Sequence, residues 1–164
     1  PAPRPPGAGG GVYWQLYGGG RVELIGNTVA DNQAERGSAV YADGSDADST
    51  LINNLLLGVA ERSTLECGDL GDLQPPRYQH NNVWGGLAYA GLCADVGANL
   101  SRKPEFERGY VPAAASAGVD QGDDTASMLA WDLAGAARVQ DGNGDGRRQI
   151  DIGAFEARDM ATKR

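Results

Sequence analysis

The stretch Leu24-Ile-Gly-Asn-Thr-Val29 returns in altered form as Leu51-Ile-Asn-Asn-Leu-Leu56. A third version lies in His80-Asn-Asn-Val-Trp84, where Asn82-Val83 follow after nearly the same interval. Each version carries an asparagine after a strand-like segment and before an apolar residue, at Asn27, Asn54 and Asn82. A repeat of about 20 to 50 residues is typical of stacked-repeat architectures.

Three short strands and their turns fill about 27 residues, which is one coil of a parallel β-helix. Equivalent positions of successive coils lie above one another in such a fold. The spacing therefore predicts a ladder of Asn27, Asn54 and Asn82, each bonding the backbone of its turn and the next asparagine. The alternative is that asparagine simply favours turns.

The composition favours an all-β fold. Glycine accounts for 25 of the 164 residues, and each glycine inside a helix costs about 1 kcal/mol relative to alanine. The net charge of −8 disfavours nucleic acid as a partner, because a polyanion is repelled on average. No segment reaches the roughly 18 apolar residues of a membrane-spanning helix.

The chain divides into three parts. Residues 1–10 form a proline- and glycine-rich arm, residues 11–110 the coils, and residues 111–164 a C-terminal capping segment. Only about three coils are recognisable, and a repeat needs neighbours to bury its apolar face. We therefore expect further coils upstream, in a longer precursor or in another chain.

Two sets of residues resemble a known family. Asn27-Thr-Val-Ala-Asp-Asn32 followed by Gly37-Ser-Ala-Val-Tyr41 is similar to the coil consensus of bacterial surface β-helix proteins. The end of the chain, with Val119-Asp-Gln-Gly122 and Ile150-Asp-Ile-Gly-Ala-Phe-Glu156, resembles the C-terminal cassette of right-handed parallel β-helix proteins of the choice-of-anchor Q type. Ala115-Ser-Ala-Gly-Val-Asp120 lacks the proline that this family usually carries.

The resemblance implies a right-handed parallel β-helix and export to the bacterial cell surface or the extracellular space. It does not imply one activity, since this superfamily includes polysaccharide lyases, glycoside hydrolases and adhesins. Residues that recur in the cassette are interpreted as a buried polar network that seals the last coil, with catalysis as the alternative: Asp120, Asp132, Arg138 and Glu156.

The segment Asp141-Gly-Asn-Gly-Asp-Gly-Arg147 predicts a calcium loop. Oxygen side chains at alternate positions, glycine at the sixth and a backbone carbonyl at the seventh suit a hard cation that takes six to eight oxygen ligands. The candidate ligands are Asp141, Asn143, Asp145, Arg147 through its carbonyl, and Asp151 as the closing carboxylate. The alternative is a solvated hairpin turn.

Cys67 and Cys93 are the only cysteines, and their separation is close to the length of one coil. Stacked positions one coil apart lie within disulfide reach, and the resembled family often carries such a pair. An exported protein would oxidise the pair. The alternative is two free buried thiols.

The sequence offers few catalytic candidates. His80 is the only histidine and is interpreted as structural or solvated. Six charged residues could form a lyase- or hydrolase-like face or merely a solvated loop: Asp31, Glu35, Arg36, Asp43, Asp46 and Asp48. Five aromatic residues could form a sugar-stacking platform or pack between coils: Trp14, Tyr17, Tyr41, Trp84 and Tyr89.

Three functions remain open at this point. The first is a non-catalytic, calcium-stabilised surface or structural protein whose loops bind a carbohydrate or another protein. The second is the C-terminal part of a polysaccharide lyase or glycoside hydrolase whose active residues lie in coils outside this chain. The third is a subunit of a larger extracellular assembly that stacks on another β-helix through its open first coil.

Overall fold

A computed structural model describes residues 7–17, 20–44, 48–70, 74–93, 98–126 and 129–160. This part of the chain is all-β, with almost no helix. Its twelve strands are β1 (Val12–Gln15), β2 (Glu23–Ile25), β3 (Thr28–Val29), β4 (Val40–Asp43), β5 (Thr50–Ile52), β6 (Leu55–Leu57), β7 (Ser63–Cys67), β8 (Arg77–Gln79), β9 (Asn82–Trp84), β10 (Leu87–Gly91), β11 (Phe106–Arg108) and β12 (Val111–Pro112).

The first ten strands form three parallel sheets that the chain visits in turn. Their orders are β1-β4-β7-β10, β2-β5-β8 and β3-β6-β9, so each strand from β1 to β7 pairs with the strand three places later. We call β1–β3, β4–β6 and β7–β9 the first, second and third coils. This winding is compatible with a parallel β-helix.

The register of the second and third sheets repeats with a constant step along the chain. Leu24 pairs with Leu51 and Leu51 with Tyr78. In the third sheet Val29, Leu56 and Val83 form the equivalent column. Both columns pack into one hydrophobic core between the sheets. Stacking like residues in this way buries the apolar face that a single coil would leave exposed.

At the corner between the second and third sheets, each of the three coils has one residue in the left-handed backbone conformation. Gly26, Asn53 and His80 have φ values of 64°, 58° and 52°. Glycine and asparagine adopt this conformation at the least steric cost. His80 therefore occupies a turn position, and its Nδ1 lies 3.2 Å from the carbonyl oxygen of Gln121.

An asparagine column follows this corner, and its third member is Asn81. The Asn54 side-chain oxygen accepts from the Asn27 backbone N–H, and that of Asn81 accepts from the Asn54 N–H, both at 2.9 Å. The predicted third member, Asn82, lies instead in strand β9 opposite Leu55, where its side chain bonds the backbone of Arg102. The choice of Asn82 from the sequence was wrong, because the constant register selects the first asparagine of the pair.

A shortened fourth coil extends the column. Strand β10 pairs with β7, and Leu100 forms a parallel bridge with Asn82. The side-chain oxygen of Asn99 accepts from the backbone N–H of Asn81 at 3.1 Å. Asn99 therefore forms a fourth rung that the sequence spacing did not indicate.

The predicted disulfide between Cys67 and Cys93 is confirmed. Their Cα atoms lie 5.0 Å apart, and the described residues contain no free cysteine. Both residues are buried in the core. The bridge ties strand β7 to the segment that follows β10, and closing a loop of this size stabilises the fold by about 3 kcal/mol in the chain-entropy model.

The C-terminal segment, residues 104–160, runs along the flank of the coils. In the first coil, the Thr28 hydroxyl oxygen accepts a hydrogen bond from the Ala154 N–H at 3.0 Å. In the second coil, the Asn53 carbonyl accepts one from the Gly153 N–H at 2.8 Å. The contact with His80 adds the third coil. The segment thus clamps three coils laterally, rather than sealing the end of the last coil as the sequence suggested.

Gly153 allows this close approach. Its φ of 123° disfavours any side chain, and a Cβ atom there would lie 2.9 Å from the Thr28 hydroxyl oxygen.

No described helix is long and apolar enough to cross a membrane.

Candidate functional site

Buried carboxylates hold the irregular backbone of the C-terminal segment together. Asp151, which is 1% exposed, accepts the backbone N–H groups of Asp120 and Ala157 at 2.8 and 2.6 Å. Asp120 in turn accepts the N–H groups of Gly142 and Asn143 at 3.3 and 2.9 Å. These bonds satisfy amides that no sheet covers, which is a structural task.

Glu156 and Arg138 form the ionic centre of the same network. Their side chains meet at 3.1 Å, and the Glu156 side chain is only 1% exposed. Both Glu156 carboxylate oxygens also lie within 3.3 Å of the Asp151 backbone nitrogen. Arg138 donates a second bond to the Gly153 carbonyl at 2.8 Å. The pair therefore fixes the Asp151–Glu156 turn against the strand-like segment that carries Arg138.

Burial changes the proton affinity of two of these carboxyls. Desolvation raises the pKa of Glu156 to about 8, and the charge of Asp151 adds to this effect against the hydrogen bonds from the Asp151 amide and Arg138. Desolvation also raises the pKa of Asp151 to about 6, although the Ala157 and Asp120 amides oppose it. The buried Glu156 carboxyl thus holds a proton more readily than an ordinary glutamate, a property that buried catalytic acids share.

Asp132 organises a hairpin next to this network. One of its carboxylate oxygens accepts the N–H groups of Ala134 and Ala136, at 2.8 and 2.7 Å, and the other accepts that of Glu156 at 2.9 Å. A bridge between Trp131 and Ala137 closes the hairpin. Asp132 and Glu156 also line one cleft of about 440 Å³.

The glycine-rich loop is shaped by its own side chains. Asp141 accepts the N–H groups of Gly144 and Gly146 at 2.7 and 3.0 Å. Asn143 accepts from Asp145, and Asp145 accepts from Arg147, each at 2.8 Å. The loop thus gathers alternate oxygen side chains along a tight backbone.

Asp151, the predicted closing ligand, is engaged elsewhere, with the Asp120 and Ala157 amides. Within the described ranges, no group of three or more His, Cys, Asp or Glu side chains is placed to hold a metal ion. Burial raises the pKa of the neighbouring Asp120, and the charges of Asp141 and Asp145 contribute to this. The loop therefore concentrates negative charge.

The charged residues considered for catalysis have separate environments. Asp31 accepts a bond from the Tyr110 hydroxyl, and buried Asp43 accepts the Leu70 N–H at 3.2 Å. Arg36 pairs with buried Glu66 at 2.6 Å. Asp48 lies between β4 and β5, and Asp46 lies outside the described residues. Glu35 lines an open surface depression of about 620 Å³, formed by the turns after β3 and β6 and by Gly7: Gly7, Gln33, Ala34, Glu35, Val59, Ala60 and Arg62.

The five aromatic residues do not share a surface. Trp14 is buried in the core, and Tyr89 packs against Tyr78 with ring centroids 5.9 Å apart. Tyr41 stacks on Tyr13 at 5.7 Å beneath the Arg36 guanidinium. Tyr17 and Trp84 are exposed.

An exposed apolar surface lies on the Asp132 hairpin instead. Leu129, Trp131 and Leu133 are 82%, 62% and 73% exposed. They line a cleft of about 430 Å³ together with Ile25, Gly26 and Asn27 at the first corner. This surface was not predicted from the sequence, although the apolar residues at 129, 131 and 133 were a visible signal.

Comparisons with known proteins add no relative: no family model, no curated protein and no solved structure matches this chain.

Proposed function

We propose that this chain is part of an exported, non-catalytic protein with a right-handed parallel β-helix fold, whose stacked turns bind a carbohydrate or another protein. The observation that carries the proposal is the cleft between the turns that follow β3 and β6. There, residues of successive coils form an open concave surface. The buried carboxylates of the C-terminal segment, by contrast, are occupied by backbone amides.

The chemistry of this cleft suits sugar hydroxyls. Gln33 offers an amide, Glu35 a carboxylate and Arg62 a guanidinium, while Val59 and Ala60 supply a small apolar surface. Few polar groups placed around an apolar surface are the usual composition of a ligand site. Because the turns stand on paired strands, these groups are held without the entropic cost of ordering a free loop.

The disulfide supports export. Disulfides persist in oxidising compartments and are rare in the cytosol of most organisms. The Cys67–Cys93 bridge is buried, so it is suited to a structural role.

Calcium is proposed as a stabilising ion at Asp141, Asn143 and Asp145, with the carbonyl of Arg147. Carboxylate, amide and carbonyl oxygens are the ligands that Ca²⁺ prefers. The loop amides already orient the three side chains, and the nearby Asp120 adds to the negative charge that a cation would neutralise.

A carbohydrate-active enzyme is the second candidate, and the raised pKa of Glu156 beside the 440 Å³ cleft favours it. A carboxyl that stays protonated at neutral pH can act as a general acid. Against this role, the Glu156 side chain is buried and committed to Arg138 and the Asp151 amide.

Nitrogen-15 NMR titration with a panel of neutral and uronate oligosaccharides tests the proposal. We expect shifts confined to the residues of the turn cleft, and at least a tenfold loss of affinity in Arg62→Ala. Arg77→Ala is the matched control, since Arg77 is exposed on β8 in another sheet. Cleavage of any oligosaccharide that is lost in Glu156→Gln would contradict the non-catalytic function, and shifts that avoid the turn cleft would contradict the site.

A further inference from the structure

The asparagine column is asymmetric at its first member. In Asn54 and Asn81, the side-chain oxygen accepts two bonds from the coil before, one from a backbone N–H and one from a side-chain amide. The same side chains donate to a carbonyl of the coil before, that of Leu24 or Leu51. Each inner rung is thus bonded to both neighbouring coils.

Asn27 forms hydrogen bonds to the second coil and within its own coil only. It donates to the Asn54 oxygen, and its remaining side-chain bond goes to the Ile25 carbonyl of its own coil. No described residue donates to the Asn27 side-chain oxygen. The column therefore ends on an acceptor that would fit the backbone and side-chain N–H groups of one more asparagine.

The strands of the first coil are open on the same side. β1, β2 and β3 each lie at the end of their sheet, so no strand of the described ranges pairs with their outer edges. The open edges of these three strands present unpaired backbone N–H and C=O groups to any strand that approaches. A single partner strand would satisfy one sheet, whereas a full coil would satisfy all three.

The exposed hairpin stands beside this open end. The segment that carries it reaches the second coil at Gly153 and the first coil at Ala154, and Leu133 then bonds the Ala154 carbonyl at 3.0 Å. The only coil residues in the cleft beneath Trp131 are Ile25, Gly26 and Asn27 of the first coil. The hairpin therefore lies beside the first coil, at the open end of the stack.

The first coil leaves the apolar side chains of this hairpin exposed. Further along the same flank, Leu55 is covered by the C-terminal segment, where it shares an enclosed pocket with Phe106 and Phe155. Leu129, Trp131 and Leu133 would be covered in the same way by the outer face of a coil placed before the first one. Three large apolar side chains exposed together mark an interaction surface.

We propose that the first coil and the Leu129–Trp131–Leu133 hairpin form a docking surface for one further parallel β-coil that carries an asparagine at its corner. This inference rests on the proposed β-helix fold. The added strands would pair with β1, β2 and β3, the added asparagine would donate to the Asn27 oxygen, and the corner of the added coil would cover Trp131.

The occupant is a full coil of another β-helical polypeptide segment and not a second copy of this chain. The acceptor at Asn27 and the three open strand edges together fit a complete coil, one that has a strand for each sheet and an asparagine at its corner. The net charge of −8 also opposes self-association.

An extended variant provides the test. Val12 and Val40 are register partners in adjacent coils, so a copy of positions 12–39 inserted before Val12 supplies one coil in register. We expect amide hydrogen exchange in the original β1–β3 to slow at least tenfold, and the melting temperature to rise by several degrees. Trp131→Ala should leave the parent protein's melting temperature unchanged and lower that of the extended variant.

Two controls separate docking from a general effect of length. A scrambled insert of equal length should give no protection, and Asn→Ala at the copied corner should lose most of it. Unchanged exchange in β1–β3, or a Trp131→Ala effect equal in both backgrounds, would overturn the proposal.

If the extended variant does not fold, the docking proposal is tested by titrating a synthetic peptide of positions 12–39 into the parent protein. We expect chemical-shift changes at Asn27 and at the Trp131 indole N–H, and their absence would overturn the proposal. A rise in mass with concentration, measured by light scattering together with shifts at Asn27, would show that a second copy occupies the surface and would overturn the proposed occupant. The oligosaccharide test uses Arg62 and the turn cleft, so the two proposals can fail independently.

Discussion

The coils and the C-terminal segment satisfy their backbone hydrogen-bonding groups in different ways. In the coils, stacked parallel strands pair backbone with backbone, and the asparagine column serves the corners. In the C-terminal segment only β11 and β12 pair as strands, besides isolated bridges. Carboxylates accept many of its other amides, with Asp120, Asp132, Asp141, Asp151 and Glu156 all buried.

The difference predicts different sensitivities. Neutral amide ladders do not titrate, so the coils should be largely independent of pH and of cations. A network of buried carboxylates around a single arginine depends on protonation and on bound cations. Four experiments test this contrast, in decreasing order of the effect that we expect.

The largest effect should come from an inner rung of the column. Asn54→Ala removes four hydrogen bonds and leaves the Asn27 amide and the Leu24 carbonyl unsatisfied, so we expect a loss of about 3 to 4 kcal/mol in the free energy of unfolding. Asn27→Ala, at the open end, should cost about 1 kcal/mol. Urea denaturation measures both, and equal losses would argue against a directional column.

Removing the disulfide should cost somewhat less. Cys67→Ala with Cys93→Ala opens a loop whose ends are separated by 26 residues, and we expect a loss of about 3 kcal/mol. Hydrogen exchange should speed up in β7 and β10 and remain unchanged around Asp151. Calorimetry with and without a reductant provides the control, since only the parent protein should respond to reduction.

The pH dependence should belong to the C-terminal segment. The folded-state pKa of Glu156, about 8, lies above its ordinary value of 4.5, and that of Asp151, about 6, lies above 3.8. The folded state therefore binds more protons, and its stability falls as the pH rises from about 4 to 8. We expect a progressive loss of stability over this range, measured by urea denaturation at several pH values.

Glu156→Gln supplies the matched variant for this measurement, because it keeps the shape of the side chain and cannot ionise. Its stability should vary less between pH 4.5 and 8.5 than that of the parent protein. A parent protein that gains stability as the pH rises through this window would contradict the predicted direction.

Calcium should have the smallest effect. Binding at Asp141, Asn143 and Asp145 should raise the free energy of unfolding by about 1 kcal/mol at a calcium concentration several times the dissociation constant. Asp145→Asn should abolish this gain, while magnesium should give little of it. Melting curves that coincide in EDTA and in millimolar calcium would refute the proposed site.

The sequence predicted the elements that repeat. The apolar register of Leu24 and Leu51 and the spacing of Cys67 and Cys93 follow from stacking, which makes distance along the chain a guide to position. The choice between Asn81 and Asn82 was wrong because two adjacent asparagines fit the approximate spacing equally well, and only the strand register distinguishes them. Asn99 was missed because the fourth coil is shorter, so its rung follows Asn81 after 18 residues.

The C-terminal segment could not be placed from its pattern. It has no period, and its position on the flank depends on single contacts such as Gly153 against Thr28. The cassette resemblance identified Asp120, Asp132, Arg138 and Glu156 as a group, yet which amides they bind follows from the tertiary path. The exposed Trp131 hairpin was missed because burial cannot be assigned to an apolar residue outside a periodic element.

Side-chain NMR tests whether the chain stacks in coils with its asparagines in one column. Nuclear Overhauser contacts among the side-chain amide protons should link Asn27 to Asn54, Asn54 to Asn81, and Asn81 to Asn99. Contacts of Asn54 with the Asn82 amide in place of Asn81, or no contacts among these side chains, would contradict the account.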